Sequence, residues 1–428
     1  MSTDGQLRRE LGIFGATMMG LGAMVGTGVF VSIGIAAGIA GPAVILAILL
    51  AAVVAACNAL NSAQLAASLP VSGGSYEYGY AYLAPWLGFT AGWVFLFAKT
   101  ASAATAVLGF AGYVLQPFGG GRFAAPLAVV AVVALTTIVL AGIRRSNLTN
   151  VVIVSITIVS LLTFIAAGGI SVLSQGSASW QPFFAEGSGG PAPGFLQATA
   201  LMFVAFTGYA RLATLGEEVR EPRRTIPRAI MATVAVAALI YIAVGVTGIA
   251  TIGAVNLADA TQTVTAPLAV AAQAFGGPVV GGIVALGAIT AMLGVALNLI
   301  LGLSRMALAM GRRRDMPSAL ARIDAGGSPR IAIVAVGIAI AALTLVGDVR
   351  TTWSFSAFNV LIYYAITNLA ALRLPPEKRL YPRAIAWAGL AACLFLAFWV
   401  EREIWLLGLA LIAAGLVWRA VAARLAGS

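Results

Sequence analysis

Histidine is absent from this 428-residue sequence, and only 14 acidic side chains accompany 25 lysines and arginines. Without imidazole there can be no histidine-ligated metal site and no histidine-based catalytic triad. Cysteine is nearly absent too. Cys57 and Cys393 sit in separate apolar runs without C-x-x-C spacing, so both read as buried free thiols rather than a redox pair or metal cluster. Charge of either sign is scarce, at 9% of residues, where soluble domains carry about 25%. What fills the gap is apolar: 61% of the chain, with a mean hydropathy of +1.00. The composition is that of an all-α polytopic membrane protein. No paired membrane carboxylates and no G-x-x-x-x-G-K-[ST] loop are present, which leaves an enzyme or a built-in ATP motor without support. No cofactor or metal is called for.

The stretch Leu11–Gly38 is long enough to cross a bilayer, which takes about 20 residues. The polar start MSTDGQLRRELG is short, and the run after it is too long for a signal-peptide core and lacks a clear cleavage site, so it reads as a true first span. Its centre, Gly22 to Gly28, is a poor helix interior, since each glycine costs roughly 1 kcal/mol relative to alanine. Backbone released from a helix at membrane depth is tolerated only inside protein or beside a wet cavity. The pattern predicts two half-helices joined by an unwound Gly26-Thr27-Gly28. The second would start near Gly28 and turn unpaired N–H groups and a positive dipole end toward the membrane centre, a site suited to a small carboxylate. The alternative is that these glycines serve close helix packing.

Eleven further spans follow from length and punctuation. They run from Pro42 to about Ser68, then near 86–115, 123–143, 147–169, 195–215, 229–252, 278–311, 331–346, 353–372, 384–400 and 404–422. A turn and a short aromatic helix lie between the second and third, at Leu69 to Tyr78. A polar loop covers Ser171–Gly194, and a mixed loop follows the seventh span to Gly277. The sixth span is interrupted at Phe206-Thr207-Gly208-Tyr209.

With the N-terminus inside, one side of this layout holds 20 of the 25 basic residues, among them Arg8, Arg9, Arg144, Arg145, Arg223, Arg224, Arg312, Arg313, Arg314, Arg379 and Arg383, while Lys99 and Arg211 fall within spans. The other side holds only Arg122, Arg350 and Arg402. That is the positive-inside pattern, and it puts both termini in the cytoplasm. It also identifies the basic residues as topology anchors and lipid contacts, not a nucleic-acid surface. The interruptions in spans one and six make the repeat unit five helices. Because five is odd, the second copy enters the membrane inverted, as in many secondary transporters whose substrate sits at the repeat interface. The expected division is a tail at 1–10, a first repeat at 11–170, an extracellular loop at 171–194, a second repeat at 195–374, and helices eleven and twelve with a cytoplasmic C-terminus at 375–428.

Four motifs in order carry a family likeness: GAMVGTGVF in span one, PVSGGSYEYGYAYLAPWLGFTAGW after span two, AFTGYARLATLGEEVREPRRTIPRAI from span six, and SRMALAMGRRRDMP after span eight. Together they resemble the amino acid–polyamine–organocation superfamily of amino acid permeases. The resemblance implies the five-plus-five inverted-repeat fold of the leucine transporter, a plasma-membrane location and an amino acid cargo. It matches the N–H groups of Gly26, Thr27 and Gly28 to the cargo's α-carboxylate. Carbonyls near Met24 and those of Val204, Ala205 and Thr207 are matched to its α-ammonium. Phe206 and Tyr209 become side-chain neighbours of cargo or gate. Tyr363 and Tyr364 resemble gating aromatics, with an ordinary aromatic packing pair as the alternative. Ala210 departs from the family, since many members carry an acid there.

Lys99 lies roughly 20 Å along span three, near the bilayer centre, which makes it a coupling candidate. The alternative is a fixed structural cation bonded to carbonyls freed by the broken helices. Arg211, just after the second break, is expected to pair with Glu217 or Glu218, with guarding of the inner vestibule as the alternative. Around Gly294–Asn298 only Asn298 offers a polar group opposite the first break, so sodium dependence is less expected than proton coupling or exchange. Neutral amino acids are the expected cargo, because the pocket lacks an acid and Lys99 and Arg211 add positive charge. The alternatives are a polyamine or cationic amino acid exchanger, or a channel or sensor of the same fold. No pattern sets an oligomeric state.

Overall fold

The computed structural model describes residues 12–69, 73–119, 121–142, 147–178, 180–185, 190–213, 221–324 and 327–426. The described chain is helical and contains no strand. Its α-helices are α1 (Ile13–Met24), α2 (Ile33–Ala40), α3 (Val44–Ser68), α4 (Ser75–Tyr82), α5 (Pro85–Leu115), α6 (Ala124–Leu140), α7 (Asn147–Gln175) and α8 (Pro191–Phe206). They continue with α9 (Ala210–Ala213), α10 (Pro222–Val264), α11 (Pro267–Arg312), α12 (Arg330–Val346), α13 (Val349–Leu372), α14 (Arg383–Ala397) and α15 (Arg402–Ala426). Nine stretches are long and apolar enough to cross a membrane, and α1, α12 and α14 are shorter apolar helices. Every span read from the sequence meets one of these helices. The tail at residues 1–10, Arg144, Arg145, Glu217 and Glu218 lie outside the described residues.

Proline and glycine set the boundaries. Pro85, Pro191, Pro222 and Pro267 each occupy the first turn of a helix, where the missing N–H costs nothing. The segment expected as a mixed loop after span seven is helical instead. Gly253 (φ 82°) turns the chain and α10 resumes to Val264; α11 then opens at Pro267 and turns again at Gly277 (φ 69°). Both turns need the left-handed backbone that glycine adopts freely. The stretch between them is rich in alanine, so helix propensity holds once the turns are made.

Burial separates the helices into a centre and a rim. The apolar windows of α5 and α13 are 83% buried, whereas that of α15 is 11% buried. Leu407, Val417, Val130 and Val133 stand more than half exposed on α15 and α6, as a lipid-facing rim requires. At the centre, α5 packs along α13 and α11, while α3 and α10 enclose α2 and α8. Hydroxyls join α5 to α13 at Ser102–Ser356 (2.7 Å) and Thr105–Thr352 (2.8 Å).

Among the described residues, the connecting segments bond one another in two groups. The turn before α3 bonds the loop after α7 (Ala43 N to Phe183 O, 2.9 Å), and that loop bonds α10 near its Gly253 turn (Ala178 N to Ala250 O, 2.7 Å). At the other group, Tyr76 and Tyr80 of α4 donate to the Asp315 carboxylate at 2.6 and 2.7 Å, and Trp418 of α15 donates to the Asp315 carbonyl at 2.9 Å. Burial, with the Asp315 carboxylate alongside, holds both tyrosine hydroxyls above the ordinary tyrosine range, so they remain donors. Glu77 pairs with Arg313, whose guanidinium also lies over the Tyr80 ring. The second and fourth sequence motifs therefore meet in one cluster, where Glu77 ties the α4 segment to Arg313.

Candidate functional site

The first helix breaks where glycine predicted a break, but one residue earlier. The last ladder bond of α1 is Val25 N to Leu21 O, and Val25 itself is extended (φ −81°, ψ 99°). Thr27 is already helical (φ −49°, ψ −36°), and a five-residue π turn, Gly28–Ser32, leads into α2. The break is thus Val25-Gly26, with Thr27 and Gly28 opening the second half-helix. Val29 and Phe30 both turn their N–H back to Gly26 O at 3.1 Å. Among the described residues, the N–H groups of Gly26, Thr27 and Gly28 donate to no protein acceptor. Thr27 Oγ1 is buried and without a partner there as well. Three bare amides and a bare hydroxyl thus stand together at the positive end of a half-helix.

The second interruption is milder. The α-ladder of α8 ends at Phe206 and the chain tightens into a 3₁₀ turn, Thr207–Tyr209, before α9. Its carbonyls are consequently not bare. Val204 O accepts from Thr207 Oγ1 at 2.8 Å and from the Thr207 N–H, and Thr207 O accepts from Ala210 N and, at 3.4 Å, from the Tyr364 hydroxyl. A carbonyl has two lone pairs, so these groups keep limited capacity for a further donor.

The two breaks are pressed together. A methyl group added at Gly28 would lie 2.5 Å from Ala205 Cβ, and one added at Gly208 would strike the Ala23 carbonyl. Neither glycine has a positive φ, so the need there is for space. Both readings of the glycines therefore apply: one breaks a ladder, others admit a close approach. Gly26 faces α11 at Val295 and the Ala291 carbonyl, an apolar face.

Of the residues singled out from the sequence, Met24, Thr27, Val204, Ala205, Phe206, Thr207, Tyr209, Lys99, Tyr363 and Tyr364 are all buried. Lys99 reaches the second break directly, its Nζ donating to Thr207 Oγ1 at 2.8 Å across 108 residues of sequence. No carboxylate forms an ion pair with it among the described residues. Tyr209, Tyr364 and Tyr363 form a chain of rings, with centroids 5.5 and 5.1 Å apart, that ends on Phe95. The two candidate gate tyrosines differ in their bonds. The Tyr363 hydroxyl accepts from Ser75 N at 3.1 Å and so caps α4, whereas Tyr364 turns to the Thr207 carbonyl. Phe206 lies against Tyr241, 5.1 Å between centroids.

Sequence reasoning missed two features. Tyr241 of α10 places its hydroxyl 2.8 Å from Met24 O and 3.2 Å from Ala205 O, so one donor spans both breaks. The available signal was a lone hydroxyl in the apolar run ALIYIAVGV. The other is a fully buried network of Asn58, Asn61 and Asn368, extended by Gln64 and Cys393, that joins α3, α13 and α14. Its signal was the i, i+3, i+6 spacing of three amides in α3. Cys393 is buried, as expected, but Cys57 is only half-buried.

The family pattern described as amino acid permease matches residues 15–423. An uncharacterized transporter of Mycobacterium tuberculosis is 41% identical over 92% of this chain and 86% of its own length. A branched-chain amino acid permease of Bacillus subtilis is 28% identical over 92% of this chain and 89% of its own. A chloroplastic cationic amino acid transporter of Arabidopsis thaliana is 29% identical over 75% of this chain and 58% of its own.

Proposed function

The chain belongs to the amino acid permease family, and from that premise we propose that this multi-pass membrane protein is a secondary transporter of neutral amino acids. It works by alternating access in the plasma membrane, with both termini cytoplasmic and twelve spans arranged as two inverted repeats of five plus two further helices. The observation that carries the reading is the set of unpaired N–H groups at Gly26, Thr27 and Gly28, buried beside the bare Thr27 hydroxyl. In a low-dielectric interior such donors cost about 1–3 kcal/mol each until an acceptor arrives. A carboxylate satisfies all of them and the helix dipole at once.

The carbonyls of Met24, Val204, Ala205 and Thr207 receive the α-ammonium across the narrow gap between the breaks. The side chain of the cargo lies toward Phe206 and Tyr209. Neutral, apolar cargo is favoured because Lys99, with no acidic partner among the described residues, stands at the second break. The likeness to the branched-chain amino acid permease of Bacillus subtilis supports the same reading. The ring chain Tyr209–Tyr364–Tyr363 is the inner gate, running from the site toward α4 on the cytoplasmic side. Lys99 is the coupling group: its ammonium bonds Thr207, and it exchanges a proton as that contact is remade.

The experiment is counterflow in liposomes loaded with unlabelled amino acids, screened over the twenty common ones. Labelled neutral amino acid accumulates against its gradient if the reading holds, and replacing sodium by choline leaves uptake intact. Flux without counterflow would instead mark a channel. Binding without flux would mark a sensor.

A further inference from the structure

We propose that Tyr241 is a positioning residue for the cargo's α-ammonium group, a role that rests on the transport reading above. Its hydroxyl carries one proton but faces two carbonyls, Met24 O at 2.8 Å and Ala205 O at 3.2 Å. A single O–H is divided between the two, and each carbonyl carries two lone pairs, so acceptor capacity remains at both. The two carbonyls belong to opposite breaks, separated by 181 positions in sequence, and their dipoles converge on the same point. Converging carbonyl dipoles repel unless a donor lies between them. Tyr241 supplies the minimum donor that holds the two breaks in register while leaving acceptor capacity free. An ammonium group, with three N–H donors, completes what the hydroxyl leaves open.

The surroundings fix the phenol in this place. Tyr241 is fully buried, and its ring packs against Phe206 at 5.1 Å. A methyl group built on Gly28 would lie 3.5 Å from the hydroxyl, so the oxygen also sits beside the start of the second half-helix. A neutral donor suits this position, because a second fixed cation there would repel the ammonium that the site receives.

A buried tyrosine commonly bonds a carbonyl for stability alone, and Tyr113 provides the matched control. It is equally buried, and its hydroxyl donates to Phe30 O at 2.7 Å, outside both breaks. Tyr241→Phe and Tyr113→Phe each remove a hydroxyl that donates to backbone carbonyl, and Tyr113→Phe also takes the acceptor from Leu268 N. The twenty common amino acids are screened singly for binding to purified wild-type protein. The tightest binder is then compared with its des-amino carboxylic acid, which keeps the carboxylate and side chain but lacks the ammonium. Tyr241→Phe is expected to weaken the amino acid on the order of tenfold and leave the des-amino acid unchanged, so their affinity ratio collapses. Tyr113→Phe is expected to lower the melting temperature but keep the ratio.

Equal weakening of both ligands in Tyr241→Phe, or the same loss of ratio in Tyr113→Phe, would overturn the proposal. If Tyr241→Phe does not fold, Phe206→Leu, which frees the phenol to swing, is measured the same way. A smaller loss of ratio in the same direction supports the proposal, and an unchanged ratio overturns it. Wild-type protein that binds none of the twenty would sink the transport reading itself, an outcome distinct from a failure of Tyr241 alone.

Discussion

Gly28 meets Ala205 at a contact between the two breaks that a single substitution perturbs directly. A methyl group at Gly28 would stand 2.5 Å from Ala205 Cβ and 2.9 Å from Ala205 Cα. Relaxed carbon–carbon contacts are about 3.5–4.0 Å, so Gly28→Ala requires the two breaks to separate by roughly 1 Å. The obstacle is partly backbone, which cannot swing aside as a side chain can. Overpacking of this kind costs about 1–3 kcal/mol, and a shift of about 1 Å at a binding site costs far more in function than in stability. Gly28→Ala is therefore expected to lower the melting temperature by several degrees and to abolish uptake in liposomes. Because Gly28 has no positive φ, space alone is at stake, and Ala205→Gly, which removes the Cβ at 2.5 Å but not the Cα at 2.9 Å, should restore part of it. The double variant is expected to regain part of the lost stability, less the roughly 1 kcal/mol that a helical glycine costs, together with measurable uptake. Gly282→Ala, with nothing within 4 Å of the new methyl, is the neutral control. Wild-type melting and uptake in Gly28→Ala, or no recovery in the double variant, would refute the reasoning.

Four other outcomes follow from the same structure. Lys99→Met removes the ammonium at Thr207 and is expected to flatten the pH profile of uptake; a profile unchanged from wild type would remove Lys99 from coupling. Tyr363→Phe leaves Ser75 N without its acceptor, which should cost about 1–3 kcal/mol, whereas the bond to Thr207 O that Tyr364→Phe loses is long, at 3.4 Å; equal melting temperatures for the two would contradict this. Asn368→Ala strands its partners Asn58 and Asn61 and should destabilise the protein by a similar amount, read by thermal unfolding. Asp315→Ala releases two tyrosine donors of α4 and should speed proteolysis near that helix relative to wild type.

The two breaks show how far a local pattern reaches. Glycines at positions 22 to 28 predicted that a ladder would fail there, and it fails at Val25-Gly26. The pattern at Phe206–Tyr209 predicted an equal interruption, but the chain tightens into a 3₁₀ turn, because Thr207 supplies its own N–H and hydroxyl to Val204 O. The helices at Ala254–Val264 and before Gly277 were hidden by the glycines that bound them, which read as loop until their turns are seen to be single residues.

Sequence alone determined the apolar helices, their ends at proline and glycine, the skew of basic residues to one set of loops, and the place where backbone donors go unpaired. Each of these depends on neighbours within a few positions, because helical hydrogen bonding and hydrophobic spans are local properties. Only the tertiary structure decided which groups answer the freed backbone. Lys99 finds Thr207 across 108 residues, and Tyr241 finds Met24 across 217. Such pairs are selected by how the helices pack, and no spacing rule along the chain encodes them.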